Sequence, residues 1–255
     1  MLYYPDKYHT AGLVSALWIR LDEDAEVYGF IKSWYLWEES EKHPPGQITP
    51  TPIENPDILE DVDFSLGIEA RFKDMTDTIP FLLSLTLLKI RILLDLKDLQ
   101  QARQAVGPKV PQEVLDNILA TIPRSSAIRT NRRIMSSPEL SDEIAKLDSQ
   151  VDALYEKIHR TNFFWWRTLV DRPLNAIETV VNRSHNGAPP EYGSPLEAAV
   201  WISQRSQRFG WIETSGALEF LREKNSKTSL PRLSETHRVY GRRADELVSA
   251  LYNPQ

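Results

Sequence analysis

Leu140, Ile144, Leu147, Val151, Leu154 and Ile158 follow one another at intervals of 4, 3, 4, 3 and 4 residues. An α-helix turns once in about 3.6 residues, so this spacing lines six aliphatic side chains along one face, and that face needs an apolar partner. Ser137 and Pro138 stand where a helix start belongs, while His159, Phe163, Phe164, Trp165 and Trp166 extend and widen the face. The pattern predicts one long helix over about 138–168. Burying each of the six side chains is worth about 1.5–3 kcal/mol, against a few tenths for an exposed ion pair, so the seam decides the packing. Its length suits a partner within the chain better than an independent coiled coil, although a second copy is the other way to cover it.

Helical periodicity recurs elsewhere. Leu13, Ala16, Leu17 and Leu21 make one amphipathic run and Val27, Phe30, Ile31 and Trp34 another, with Asp22-Glu23-Asp24 between them. So short a link predicts an antiparallel pair, with Asp22 or Asp24 capping the second helix. Phe81, Leu82, Leu85, Leu88, Ile92 and Leu96, followed by Leu99, Ala102 and Val106, read as a second such unit that Gly107-Pro108 stops. Residues 17–24 and 92–99 both pass from an apolar helix end into charge at an offset of 75. Two tetratricopeptide-like hairpins would span about 68 residues, so either an irregular insertion in a repeat or a shared turn chemistry without repetition accounts for the match.

The insertion is expected at 38–63, where Pro44, Pro45, Pro50, Pro52 and Pro56 forbid a continuous helix and Ile48, Ile53, Ile58, Leu59, Val62 and Phe64 pin an extended loop to the surface. Pro111-Gln112-Glu113 opens a short helix with Val114, Leu115, Ile118, Leu119 and Ile122 on its apolar side. Further helices follow at Leu174–Val181, at Leu196–Ser203 and at Ala217–Leu221, the last two separated by Gly210-Trp211 and Thr214. The expected fold is all-α, with stacked antiparallel hairpins, in a single domain over 1–225 followed by a polar segment at 226–255 with a docked helix at Ala244–Tyr252.

Without a single cysteine, the chain has no disulfide, zinc finger, iron–sulfur cluster or thiol nucleophile. Its 10 glycines form no phosphate-cradling or dinucleotide motif, and its 5 histidines are not spaced to share a metal. Asp57, Glu60, Asp61 and Asp63 are the acidic cluster nearest to a cation site, but they lack the order of a calcium loop. No cofactor is expected. Lys89, Arg91 and Asp95 interrupt the longest apolar run, Ile79–Leu96, and charges there cost about 3 kcal/mol each in lipid, so this run reads as a buried helix and not a membrane span. Met1–Arg20 carries Asp6, Lys7 and Arg20 and does not read as a leader, which fits an intracellular protein, cytoplasmic or nuclear.

Charge is lopsided: residues 1–77 hold 16 acidic and 6 basic side chains, the remainder 20 and 24. Arg124, Arg129, Arg132 and Arg133, and later Arg238, Arg242 and Arg243, are the basic concentrations; none is interleaved with the aromatic rings of a strand-binding groove, which argues against nucleic acid.

Residues 18–34 (Trp18-Ile19-Arg20-Leu21-Asp22-Glu23-Asp24 onward), 85–96 and 110–115 give the chain a family likeness running from about Ala11 to Leu221. It resembles a large group of fungal helical proteins with tetratricopeptide-like hairpins, some associated with a MYND-type zinc finger. The finger is absent here for want of cysteine. In that group another helical region usually precedes the first matching motif, which implies a shortened or truncated member. The resemblance implies a helical scaffold and supplies no catalytic residue.

Two functional expectations result. The first is protein–protein interaction, with another protein or a second copy, through Tyr28, Trp34, Tyr35 and Trp37, because large amphipathic rings make effective interface anchors; core packing is the competing reading, above all for Trp34. The second is a non-metal enzyme or small-molecule-binding protein with an aromatic interhelical pocket of Trp165 and Trp166, where Tyr155 and His159, neighbours at i and i+4, would handle protons.

Overall fold

The computed structural model describes residues 6–39, 50–61, 79–106, 110–171, 174–184, 194–203 and 205–227. Among them all regular structure is helical, in 12 helices, and the chain divides into two compact units, Met1–Leu154 and Tyr155–Gln255.

In the first unit α1 (Asp6–Arg20) and α2 (Asp24–Glu39) form the expected hairpin. Asp22 makes the turn in the left-handed region, with φ 62°, a conformation that aspartate tolerates better than most residues. Asp24 and Glu26 put negative charge in the first turn of α2, at the positive end of its dipole. Neither aspartate caps α2 through its side chain as expected: Asp22 pairs with Arg91, and both Asp24 oxygens lack a hydrogen bond.

The third helix, α3 (Ile79–Val106), runs 28 residues without a break and carries Pro80 in its first turn, where no hydrogen bond is lost. This corrects the helix–turn–helix expected there. Asp95, Lys97 and Asp98 do not mark a turn, because Asp95 is buried and its charge is met by Arg124 and Ser125 from a distant segment. Residues 17–24 end a helix and 92–99 lie inside one, so the offset of 75 between them is not a structural repeat. Every residue from Ile79 to Leu93 is buried, the pattern of a helix covered all round. α1 and α2 cover part of it. The approach of α1 depends on Gly12, since a Cβ there would stand 2.3 Å from Pro80 Cβ. Next to it the Ser15 hydroxyl donates to the Gly12 carbonyl at 2.8 Å and lies 2.8 Å from the Ser84 hydroxyl.

Residues 50–61 of the proline-rich insertion form a non-helical strap held down by Ile58 and Leu59, both buried, as the isolated apolar residues lead one to expect. Ile48, Val62 and Phe64 lie outside the described residues. The strap touches α2 at Gly29, whose carbonyl accepts from Ile53 N at 3.4 Å; a Cβ on Gly29 would stand 2.2 Å from Ile53 O.

The unit continues through α4 (Gln112–Thr121) and two short helices, α5 (Ser126–Arg129) and α6 (Arg132–Ser136), and ends at Leu154 within α7 (Ser141–Thr161). Leu140, Leu147, Val151, Leu154 and Ile158 are all buried, so the seam is an apolar face on one uninterrupted helix. On the first unit's part of α7, Gln150 donates to the strap carbonyl of Leu59 at 3.3 Å, and Asp148 lies 3.5 Å from Lys97 of α3.

The helix expected over 138–168 is two helices. Asn162 ends α7: its Oδ1 accepts from Phe164 N at 3.0 Å while its Nδ2 donates at 2.9 Å to Ser194 O and to Glu197 Oε2. A side chain that bonds the backbone two residues on offers a turn in place of the next helical bond. The second unit then packs α8 (Trp165–Asp171) against α10 (Pro195–Ser203) and α12 (Ala217–Ser226), with α9 (Leu174–Ser184) on α10 and α11 (Arg205–Glu213) touching both α10 and α12. Gly210-Trp211, expected to separate helices, lies inside α11, because Trp211 is buried edge-on to Trp166. Gly216, with φ 83°, turns the chain into α12. Residues beyond Lys227, including the expected helix at Ala244–Tyr252, lie outside the described residues.

Candidate functional site

Two of the four expected interaction residues belong to the core. Tyr28 is 0% exposed and Trp34 5%, so neither has a face to offer a partner. Trp34 packs against Phe30 and Phe81 with ring centroids 6.1 and 5.9 Å away. Tyr28 holds the strap: its hydroxyl donates to Glu60 Oε1 at 2.9 Å, and Lys32 donates to the same oxygen. Burial, with the adjoining Glu60 carboxylate, pushes the Tyr28 phenol well above its ordinary range. Tyr35 is half-buried, and the Trp37 side chain lies outside the described residues.

The aromatic cluster of the second unit is likewise packed on itself. Tyr155 stacks on Trp166 at 5.1 Å and 5° between planes, and Trp166 meets Trp211 edge-on at 5.6 Å. Trp165, Trp166 and Trp211 are each 1% exposed. The Trp166 indole donates to Tyr155 O at 3.1 Å and the Tyr155 hydroxyl to Asn225 Oδ1 at 2.8 Å. His159, half-buried, stacks on Tyr155 at 6.2 Å, and burial pushes its imidazole below the ordinary value. The Tyr155 hydroxyl donates to Asn225, and His159 meets the Tyr155 ring by stacking.

Charges that interrupt the apolar run on α3 prove to be its fixings. Lys89, 1% exposed, donates from Nζ to Ile58 O at 2.7 Å and Glu60 O at 2.8 Å and lies 4.9 Å above the Tyr28 ring. Burial outweighs the pull of Asp57 and Glu60 and pushes the ammonium down to about 8. On the opposite side Arg91 donates to Ile19 O at 2.9 Å, pairs with Asp22 and lies 3.5 Å from Asp24. Four residues on, Asp95 accepts from Arg124 Nη1 at 3.0 Å and Ser125 N at 2.8 Å. Burial raises both the Asp24 and the Asp95 carboxyls. These groups bind the turn at 21–23, the strap and the segment at 124–125 to one helix.

An open groove of about 870 Å³ lies in the first unit between the end of α3, α4, and the short helices α5 and α6. Its apolar lining is Leu115, Leu119, Met135 and Pro138, and its charged lining is Arg103, Arg129, Arg132 and Asp116. Two of the arginines are held by backbone carbonyls. Arg103 Nη2 donates at 3.0 Å to Ile134 O and to Met135 O, and Arg129 Nη1 donates to Pro123 O at 3.0 Å and Arg124 O at 2.9 Å. Arg103 Nη1 is buried without a hydrogen bond, and burial pushes this guanidinium below its ordinary value. Among the described residues no ion pair includes Arg103, Arg129 or Arg132.

The apolar side expected on α4 is only partly used. Leu119 is 4% exposed, but Val114 and Ile118 are 47% and 39% exposed. Residues four apart share a helix face, so Val114 and Ile118 form one exposed apolar stripe beside the Leu115 and Leu119 face that lines the groove. A smaller pocket of about 190 Å³ sits under the strap, where Asp57, Asp142 and Glu143 are nearly balanced by Arg133 and Lys146.

Among the described residues no group of three or more histidine, aspartate or glutamate side chains is arranged to hold a metal ion, and no helix is long and apolar enough to cross a membrane. Within the acidic cluster, Glu60 accepts from Tyr28 and Lys32, Asp57 Oδ1 accepts from Leu59 N, and Asp63 lies outside the described residues. Comparison with family models, with curated proteins and with solved structures finds no match.

Proposed function

We propose that the first unit is a helical scaffold that binds another protein, and that its contact surface is the groove of α3–α6 together with the exposed stripe on α4. The observation that carries this reading is the pair Val114 and Ile118, exposed on a helix whose next face already lines an open groove. Singly exposed apolar residues need no explanation, but an apolar stripe continuous with a concave, arginine-edged surface is the usual make-up of a protein contact. The resemblance of 18–34, 85–96 and 110–115 to fungal helical proteins with tetratricopeptide-like hairpins points to the same scaffold role.

A photo-crosslinking residue in place of Ile118 tests it in the native source, with one in place of Leu36, 45% exposed on α2, as control. A discrete adduct at 118 that is missing at 36 is expected. Equal labelling at both positions, or none at 118, removes the reading. Sedimentation of the purified chain then tells a second copy from a different protein.

A further inference from the structure

We infer that the groove recognises an acidic segment of its partner, one in which carboxylates alternate with apolar side chains, and that Arg103, half-buried in its wall, is the anchor for it. The inference rests on the groove being the contact surface. Three guanidinium groups and one carboxylate line it, an excess of two positive charges around an apolar floor of Leu115, Leu119 and Met135. Arg103 is the informative member. A guanidinium taken out of water without a counter-charge is unfavourable, and the structure shows what a compensated one looks like: Arg91 has Asp22 and Asp24 beside it. Arg103 has only two carbonyls, both on Nη2, while its Nη1 is buried without a hydrogen bond. An acidic side chain entering the groove would supply the counter-charge that the two carbonyls on Arg103 do not, and so be held in place.

Arg129 and Arg132, both exposed, would extend the same preference to neighbouring acidic residues and steer the encounter. Phosphate of a nucleic acid would meet the same charges, but none of the lining residues is an aromatic ring on which a base could stack, and the apolar floor has no use for a ribose-phosphate chain. The chemistry on the page therefore favours an acidic, amphipathic peptide.

Fluorescence anisotropy with the full chain tests this with three labelled probes: a helical Glu/Leu peptide, the same peptide with Gln for every Glu, and oligouridine. The Glu peptide is expected to bind at least about tenfold more tightly than the Gln peptide, which corresponds to one good charge-assisted pair, with the margin shrinking as salt rises. Arg103→Gln, which removes the charge, should erase most of the margin. Arg132→Gln, at an exposed site that leaves folding alone, should reduce it as well. Equal binding of the Glu and Gln peptides overturns the acidic preference and leaves the scaffold reading standing. Binding of neither peptide, with no adduct at 118, removes both, and tighter binding of oligouridine replaces the peptide with nucleic acid.

Discussion

The Asp24 carboxylate lies 3.5 Å from the Arg91 guanidinium, and burial still outweighs their attraction, so the carboxyl is raised above its ordinary value. A raised acid favours the folded state most when protonated. The ionised form therefore costs stability, and that cost builds as pH rises from the ordinary value of 3.8 and is complete above the raised folded value. Asp24→Asn, which keeps the shape and removes the charge, is expected to raise the urea midpoint at pH 7. The advantage should shrink as pH falls through the raised folded value and vanish below the ordinary value of 3.8, where both states are protonated. Arg91 keeps Asp22 and Ile19 O in the variant. A lower midpoint at pH 7 would show that the Arg91 contact prevails instead.

Lys89 gives the opposite slope. Its ammonium is pushed down to about 8 from an ordinary 10.5, so between those values the unfolded chain holds a proton that the folded chain has released. Stability from this residue therefore rises with pH across that window, by about 3 kcal/mol in all, while the neutral amine can still donate to Ile58 O and Glu60 O. Urea titrations of the wild type and Lys89→Met at pH 7, 8, 9 and about 10 isolate the effect, because other lysines cancel in the difference. A difference that stays flat over the window is the contrary result.

Gly29→Ala reverses a familiar sign. Alanine inside a helix is worth about 1 kcal/mol over glycine, but here the added Cβ meets Ile53 O at 2.2 Å and the strap must move. A net loss of about 1–3 kcal/mol is expected. Amide exchange at Leu59, whose N–H is bonded to Asp57 Oδ1, should quicken at the same time. A stabilised variant with unchanged exchange would mean that the strap does not lie on α2.

In the second unit, Asn162→Ala removes the break between α7 and α8 and withdraws a donor from the buried Glu197 carboxylate. The expected loss is about 1.5–3 kcal/mol, the range for a hydrogen bond to a charged group. Asn162→Asp should cost more, since it sets a second carboxylate against Glu197. Thermal unfolding of both variants beside the wild type reads the loss.

The sequence makes legible what local period governs: the α1–α2 hairpin, the seam of α7, and a strap pinned at Ile58 and Leu59. Contacts that join remote segments are not legible. Asp95 and Asp98 look like a turn because their partner Arg124 lies 29 and 26 residues further on, and nothing local announces the pairing. Tyr28 and Trp34 read as surface anchors by residue type, yet the strap and Phe81 cover them. The groove is half visible. Arg129 and Arg132 stand in an evident arginine concentration, whereas Arg103 joins them only because α3 runs on past the point where a turn was expected. Exposed Val114 and Ile118 could have been suspected from α4 alone, since a ten-residue helix with apolar residues on two faces cannot easily bury both.

Lys89, Arg91 and Asp95 add to the alignment that the Gly12–Pro80 fit and the Ser15–Ser84 hydrogen bond give α3. At about 100° per residue, Arg91 and Asp95 lie on one side of the rod and Lys89 on the other. Leucine and isoleucine elsewhere on its circumference would fit nearly as well after a rotation by one residue or a slide by one turn, whereas an ammonium facing two carbonyls and a guanidinium facing two aspartates fit only one way. The three charges act as keys in a lock barrel. Replacing all of them with leucine would leave a molecule of comparable durability whose seating is dictated by fewer contacts.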